Sequence, residues 1–241
     1  MQSRNPQALR RVQITGSNSG SVLKLIAKIF PLLLLVSGVN AQTDVKKLAD
    51  GVDHRYNDLR SMSAQFSEHY SGNGMEREET GTLSLKKPGK MRWEYKSPRE
   101  KLFVSDGKLA WFYVPGEKQV RQAQVKKMDD LRTPLRYLLG HTKLEKEFTG
   151  LSLAPDVKPS APGNVVLRGV PGSMADRVSQ VLLEITSEHR IARIVVDELD
   201  GSTTEFTFSQ EQDNPPVADG QFEFKPPAGV EILQGTELTA P

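Results

Sequence analysis

From Lys90 to Lys96 the chain reads Lys-Met-Arg-Trp-Glu-Tyr-Lys, a strict alternation of large apolar and charged side chains. Successive side chains of a β-strand point to opposite faces, so Met91, Trp93 and Tyr95 share one face and Arg92, Glu94 and Lys96 the other. The fold must therefore contain a sheet with one bulky apolar face. What that face meets, a filled core or a space kept for something else, governs every functional reading.

The same period of two recurs on both sides. Met62, Ala64 and Phe66 alternate with Ser63, Gln65 and Ser67, and Gly72-Asn73-Gly74 then signals a hairpin turn. Leu83 and Leu85 precede the opening stretch; Phe103 follows it, and Asp106-Gly107 turns the chain into the apolar run Leu109 to Val114. Further strands are expected at 164–168, 180–185, 191–198 and 204–208, with a closing stretch from Phe222 to Val230.

Two segments break this pattern. Val45, Leu48, Ala49, Val52, Tyr56 and Leu59 recur at three- and four-residue steps, which predicts an amphipathic helix over 44–59. Between Met128 and His141, Thr133-Pro134 reads as a helix start and Gly140 as its end, with Leu131, Leu135, Leu138 and Leu139 on one face. Ala154 to Gly163 is read as a Pro-rich exposed loop. About ten short strands with few helices predict a mainly β (α+β) domain, an antiparallel barrel or strongly curved sheet. Ordinary packing explains alternation without a ligand. Yet the sheet offers more apolar side chains than two narrow helix faces cover, so an apolar cavity is the second option.

The first 41 residues differ from the rest. They hold Arg4, Arg10, Arg11, Lys24 and Lys28 and no acid, then the run Ile29 to Val36, then Ser37-Gly38-Val39-Asn40-Ala41. That order is the layout of a secretory leader cut after Ala41, leaving 42–241 as a single domain. The apolar run is short and interrupted against the roughly 20 residues that a spanning helix needs. The part before Val22 is long and polar for a leader, so a translation start further downstream is expected. Taking these five cations from the chain's 32 leaves 27 against 30 acidic residues, a net of −3. A nucleic-acid partner is not expected of such a chain.

There is no cysteine, which excludes a disulfide scaffold, a thiol nucleophile and a lipid-bearing N-terminal cysteine. His54, His69, His141 and His189 form no metal-binding spacing, and no Gly-x-Ser-x-Gly element occurs. Glu76-Arg77-Glu78-Glu79 reads as a solvated loop. No catalytic residue, metal or cofactor is expected, and the chain is not read as an enzyme.

The run Thr80 to Val120, with its Lys87-Pro88-Gly89-Lys90, Arg92-Trp93-Glu94-Tyr95, Val104-Ser105-Asp106-Gly107-Lys108 and Trp111-Phe112-Tyr113 elements, resembles the outer-membrane lipoprotein carrier family, LolA. So do Phe66 in its Ser-Ala-Gln-Phe-Ser-Glu context, the helix at 133–139, and the ending Phe222 to Leu233. The resemblance implies an incomplete antiparallel barrel around an apolar cavity closed by helices. It further implies a monomeric periplasmic carrier, or chaperone, that accepts triacylated lipoproteins from an inner-membrane ABC transporter complex and passes them to an outer-membrane receptor lipoprotein. Met62, Phe66, Leu83, Leu85, Met91, Trp93, Tyr95, Phe103, Trp111, Tyr113, Leu135, Leu138, Phe206 and Phe208 would line the lipid cavity. Trp111 and Tyr113 sit on a strand that is apolar on both faces. Lys87 stands where the family has an arginine that ties the lid to helix carbonyls. Other readings of the same fold are a carrier of another lipid or glycolipid and an envelope lipid-sensing module. Mass spectrometry of the exported protein should find Gln42 as its first residue; a chain that keeps residues 22–41 would refute the leader.

Overall fold

The computed structural model describes residues 37–125, 138 and 143–235. Most of the expected leader, the helix expected over 128–141 apart from Leu138, and the tail from 236 lie outside them. Helix α1 (Ser37–Asp58) begins within the expected leader and is followed by strands β1 (Ser61–Gly72), β2 (Met75–Lys86), β3 (Lys90–Ser97), β4 (Lys101–Asp106), β5 (Leu109–Tyr113) and β6 (Gln119–Gln124). A one-turn helix α2 (Leu144–Glu147) leads into β7 (Phe148–Leu153), β8 (Val165–Pro171), β9 (Val178–Ile185), β10 (Ile191–Glu198), β11 (Thr203–Asp213) and β12 (Glu231–Gln234).

All twelve strands form one sheet in the order β12-β6-β5-β4-β3-β2-β1-β11-β10-β9-β8-β7. Neighbours are antiparallel except β12, which lies parallel to β6. The two edge strands are β12 and β7, so the sheet is an open, incomplete barrel. Tight turns set the register. Asn73 and Gly74 both take positive φ (53° and 74°) in the β1–β2 hairpin, as a primed two-residue turn requires.

The inner face carries the main core. Val45, Ala49, Val52 and Tyr56 of α1, with Leu59 just beyond its end, pack there against Met62, Phe66, Leu83, Leu85, Met91, Trp93, Tyr95, Phe103, Phe206 and Phe208. Helix periodicity and strand alternation thus meet as two apolar surfaces. Within the sheet Gly81 makes room for the Phe66 ring opposite it, because a Cβ there would lie 2.0 Å from the Glu94 carbonyl oxygen and 2.7 Å from that ring. Phe66 can then pack against Trp93 at a 39° tilt with ring centroids 4.5 Å apart.

The outer face is also partly covered. The chain after β11 runs back over β2–β6: Asp219 pairs with Lys86 and Lys90, and the Gln221 carbonyl accepts from Arg92. Where a closing strand was expected from Phe222, the chain forms a short 3-10 turn at Asp219–Phe222 and then coil up to β12. Pro226 and Pro227 supply no N–H for a ladder there.

The loop 154–164 is likewise pinned down. Ala154 and Val157 pack on Val166, Leu182 and Val195 of the outer face. Beneath the loop lies Glu184, only 1 % exposed. It accepts hydrogen bonds from the Ser160 amide and hydroxyl, from Asn164 Nδ2 and from Arg193 Nε at 2.6–3.0 Å. Burial alone would raise its pKa, but these donors outweigh burial and hold the carboxyl at about 2. A depressed pKa contributes stability that is full above the unfolded value near 4.5 and lost as pH falls toward 2. Glu184→Ala should therefore cost about 3 kcal/mol at pH 7, because it removes the buried acceptor that Ser160, Asn164 and Arg193 share, and less at pH 3. Urea unfolding at the two pH values checks this.

Candidate functional site

The elements around the inner face place two polar features at opposite ends of strands β2–β4. One is a clamp on α1. Lys87, in the β2–β3 turn, donates from Nζ to the carbonyls of Tyr56 and Asn57, each at 2.7 Å. These carbonyls belong to the last turn of α1, where helix C=O groups lack intrahelical partners and a cation is favoured by the helix dipole. The same turn is held from the far side of the open sheet. Tyr56 accepts the Ile191 amide at 2.9 Å and donates to Glu211, while Arg55 and Arg190 both pair with Glu211 and Asp213. Burial, with Glu211 close by, raises the Tyr56 pKa far above that of a free phenol and keeps the ring neutral. Burial lowers the Lys87 pKa and Asp58 partly restores it.

Apolar side chains fill the space under the clamp. Leu59, Met62, Leu85 and Leu138 adjoin Lys87 around a void of only about 10 Å³, close to the least that holds one water. Phe66, Trp93, Tyr95, Phe206 and Phe208 form a buried aromatic cluster on the concave face. Of the residues that the sequence assigns to a cavity, Met62, Phe66, Leu83, Leu85, Met91, Trp93, Tyr95, Phe103, Leu138, Phe206 and Phe208 come together here. Leu135 lies outside the described residues.

Trp111 and Tyr113 require a correction: both lie on the outer face. Pairing of β4 with β5 sets Phe103 opposite Phe112 and Val104 opposite Trp111. Ala110 and Phe112 therefore face inward, and Trp111 packs with Val104 and Val120 under Phe224, whose ring centroid is 6.1 Å away. The hairpin turns at Gly107-Lys108, and any two-residue turn there puts the even-numbered residues of β5 on the face of Phe103, so the sequence held the signal.

The second polar feature lies on the inner face at the other end. Glu76 to Glu79 is part of β2, not a solvated loop, and alternation turns Arg77 and Glu79 inward. Glu79 is 2 % and Lys101 7 % exposed. They pair at 2.6 Å, Arg77 Nε lies 3.1 Å from Glu79, and Tyr95 donates to buried Glu68 at 2.7 Å. Burial raises the Glu68 pKa, an effect that the Tyr95 bond opposes. Acidic and basic residues in one short run hide this network from pattern reading, which sees only charge.

Against this geometry the comparisons are specific. Residues 57–225 match the family described as "Outer membrane lipoprotein carrier protein LolA". The chain belongs to that family. A relative from Dechloromonas aromatica, an outer-membrane lipoprotein carrier protein, is 30% identical over 213 residues, covering 87% of this chain and 95% of its own. One of the same description from Psychromonas ingrahamii is 29% identical over 217 residues, 87% of this chain and 98% of its own. Among solved structures, an uncharacterized conserved protein from Thermus thermophilus aligns with a TM-score of 0.52 at 13% identity, over 80% of this chain and 99% of its own. That likeness concerns the fold. Lys87 lies within the matched residues.

Nearby, Asp53 of α1 accepts the Leu144 amide at the start of α2 at 3.1 Å. Burial raises its pKa to about 6, against the lowering effect of that bond. A raised carboxyl pKa means that the native state holds the proton more firmly, so stability falls as pH rises between about 4 and 6. Asp53→Asn should thus gain on the wild type as pH rises through about 6, with a constant difference above 7. Thermal melts from pH 4 to pH 8 test this.

Proposed function

We propose that this protein is a periplasmic carrier that shields the acyl chains of lipoproteins released from the inner membrane and delivers them to the outer membrane. Family membership supports the reading, and one observation carries it: a concave apolar face covered by a helix whose last turn is held by polar bonds. On this reading residues 1–41 are the export leader, residues 42–241 the carrier domain, an inner-membrane ABC transporter complex the donor and an outer-membrane receptor lipoprotein the acceptor. No catalytic step is assigned to it.

The chemistry follows from the balance of two burials. In the closed form, the apolar side chains of α1 stabilise the concave face by roughly 1.5–3 kcal/mol each when fully buried. Acyl chains replace them at about 0.8 kcal/mol per buried methylene. Opening α1 therefore lowers the affinity for cargo, because the binding-competent state must first be populated. That cost favours handing the cargo on. Met62, Phe66, Leu83, Leu85, Met91, Trp93, Tyr95, Phe103, Phe206 and Phe208 would meet the chains, with Leu135 and Leu138 on the cover.

The test is release of labelled lipoproteins from inner-membrane vesicles bearing the transporter, with ATP and residues 42–241. A soluble complex of one lipoprotein per carrier is expected, and label that stays on the vesicles beside an active transporter refutes the reading. In the same assay Lys87→Ala should accept cargo but hold it about tenfold more tightly, since a bond to a charged group contributes roughly 1.5–3 kcal/mol to the closed state. Lys87→Arg should hand it on as the wild type does. Loss of acceptance by the alanine variant would contradict the clamp's role.

A further inference from the structure

The sheet does not hold α1 evenly. Toward its β7–β11 half the helix is tied along its length. Lys46 pairs with Glu145, and Asp53 accepts the Leu144 amide, both in the α2 turn that leads into β7. At Gly51 the His189 ring of the β9–β10 hairpin lies directly on the helix, since a Cβ there would come within 2.2 Å of that ring. Glycine weakens a helix interior, so its use here marks a close approach that a larger residue would push apart. Arg55 and Tyr56 then meet Glu211 and Asp213 of β11 and the Ile191 amide of β10. From the opposite side Lys87 reaches α1 with one side chain, at the last turn.

The two sides differ in exposure as well. The bonds from the Ile191 and Leu144 amides are buried, and the side chains of Arg55 and Glu211 are 16% and 7% exposed. The Lys87 bond to the Asn57 carbonyl is open to solvent. Water replaces an exposed bond at little cost, whereas buried groups parted from their partners must be resolvated or left unpaired. Lys87 also holds backbone carbonyls, while Tyr56 is anchored through its hydroxyl. A roll of the helix about the Tyr56 side chain therefore parts α1 from Lys87 and leaves the far side intact.

We infer that α1 opens as a hinged cover. It stays on β7–β11 through Gly51, Arg55 and Tyr56 and parts from the β2–β3 turn, so that acyl chains enter along the seam of Leu59, Met62 and Leu85 beneath Lys87. The inference rests on the carrier reading and adds to it the axis of opening and the side of entry. The chain has no cysteine, so introduced pairs report cleanly. His189 Cγ lies 2.7 Å from the place of a Gly51 Cβ, so Gly51→Cys/His189→Cys should form a disulfide across the hinge. Across the seam, Asn57→Cys/Lys87→Cys can be bridged with ortho-phenylene bismaleimide in place of the lysine bonds. In the release assay the disulfide form should accept lipoprotein within about twofold of its reduced form, and the bridge should lower acceptance at least about tenfold against the unbridged pair. Acceptance lost in the disulfide form and restored by reduction, or acceptance by the bridged seam, overturns the inference. If the wild type accepts nothing beside an active transporter, the carrier reading falls, and hydrogen exchange at the Ile191 amide judges the hinge without cargo. Lys87→Ala should leave that amide as protected as in the wild type, and Tyr56→Phe should speed its exchange. Faster exchange in Lys87→Ala, or no change in Tyr56→Phe, overturns the hinge.

Discussion

Lys87 holds the last turn of α1 by two 2.7 Å bonds to the carbonyls of Tyr56 and Asn57, and the concave face of the sheet depends on that hold. A twelve-stranded open sheet curls its apolar side inward but leaves two edges, β12 and β7, that do not pair with each other. It cannot fill its own interior. α1 does so, and its final turn is the point where both halves of the sheet grip it. The β2–β3 turn reaches it through Lys87, while β11 and the β9–β10 hairpin reach it through Glu211, Asp213, Arg190 and the Ile191 amide.

Such a design separates two energies that a fixed core would merge. Apolar burial beneath α1 is non-directional and can be exchanged for acyl chains without loss of fold. The clamp is directional, and on the proposed reading opening would break its bonds together as a step between two states. Meanwhile the rest of the structure is secured elsewhere. The loop on Glu184 and the C-terminal chain on Lys86, Lys90 and Arg92 tie the outer face. Their contacts do not involve α1, so the helix can move while the sheet stays formed.

Much of this was legible in the chain. Strict alternation gave the apolar face of Met91, Trp93 and Tyr95, and three- and four-residue spacing gave the core side of α1. The side of Trp111 and Tyr113 was not resolved by periodicity, because β5 is apolar on both faces and only its register with β4 assigns them. Buried Glu79 and Lys101 escaped notice for a related reason. Charged residues read as solvated unless their partners are known, and Glu79 meets Lys101 across 22 positions of sequence. Glu184 and its loop show the same limit, since its partners come from two separate segments, Ser160 and Asn164 from the loop and Arg193 from β10.

The central claim is that acyl chains enter the concave face, and tryptophan fluorescence tests it most directly. The chain has two tryptophans: Trp93 inside the barrel and Trp111 outside it. In the Trp111→Phe variant the emission comes from Trp93 alone, and in Trp93→Phe from Trp111 alone. A bound lipoprotein with bromine-labelled acyl chains should quench Trp93 strongly and leave Trp111 nearly unchanged. Quenching of Trp111 with Trp93 untouched, in a complex shown to be stoichiometric, would place the chains on the outer face and contradict the account.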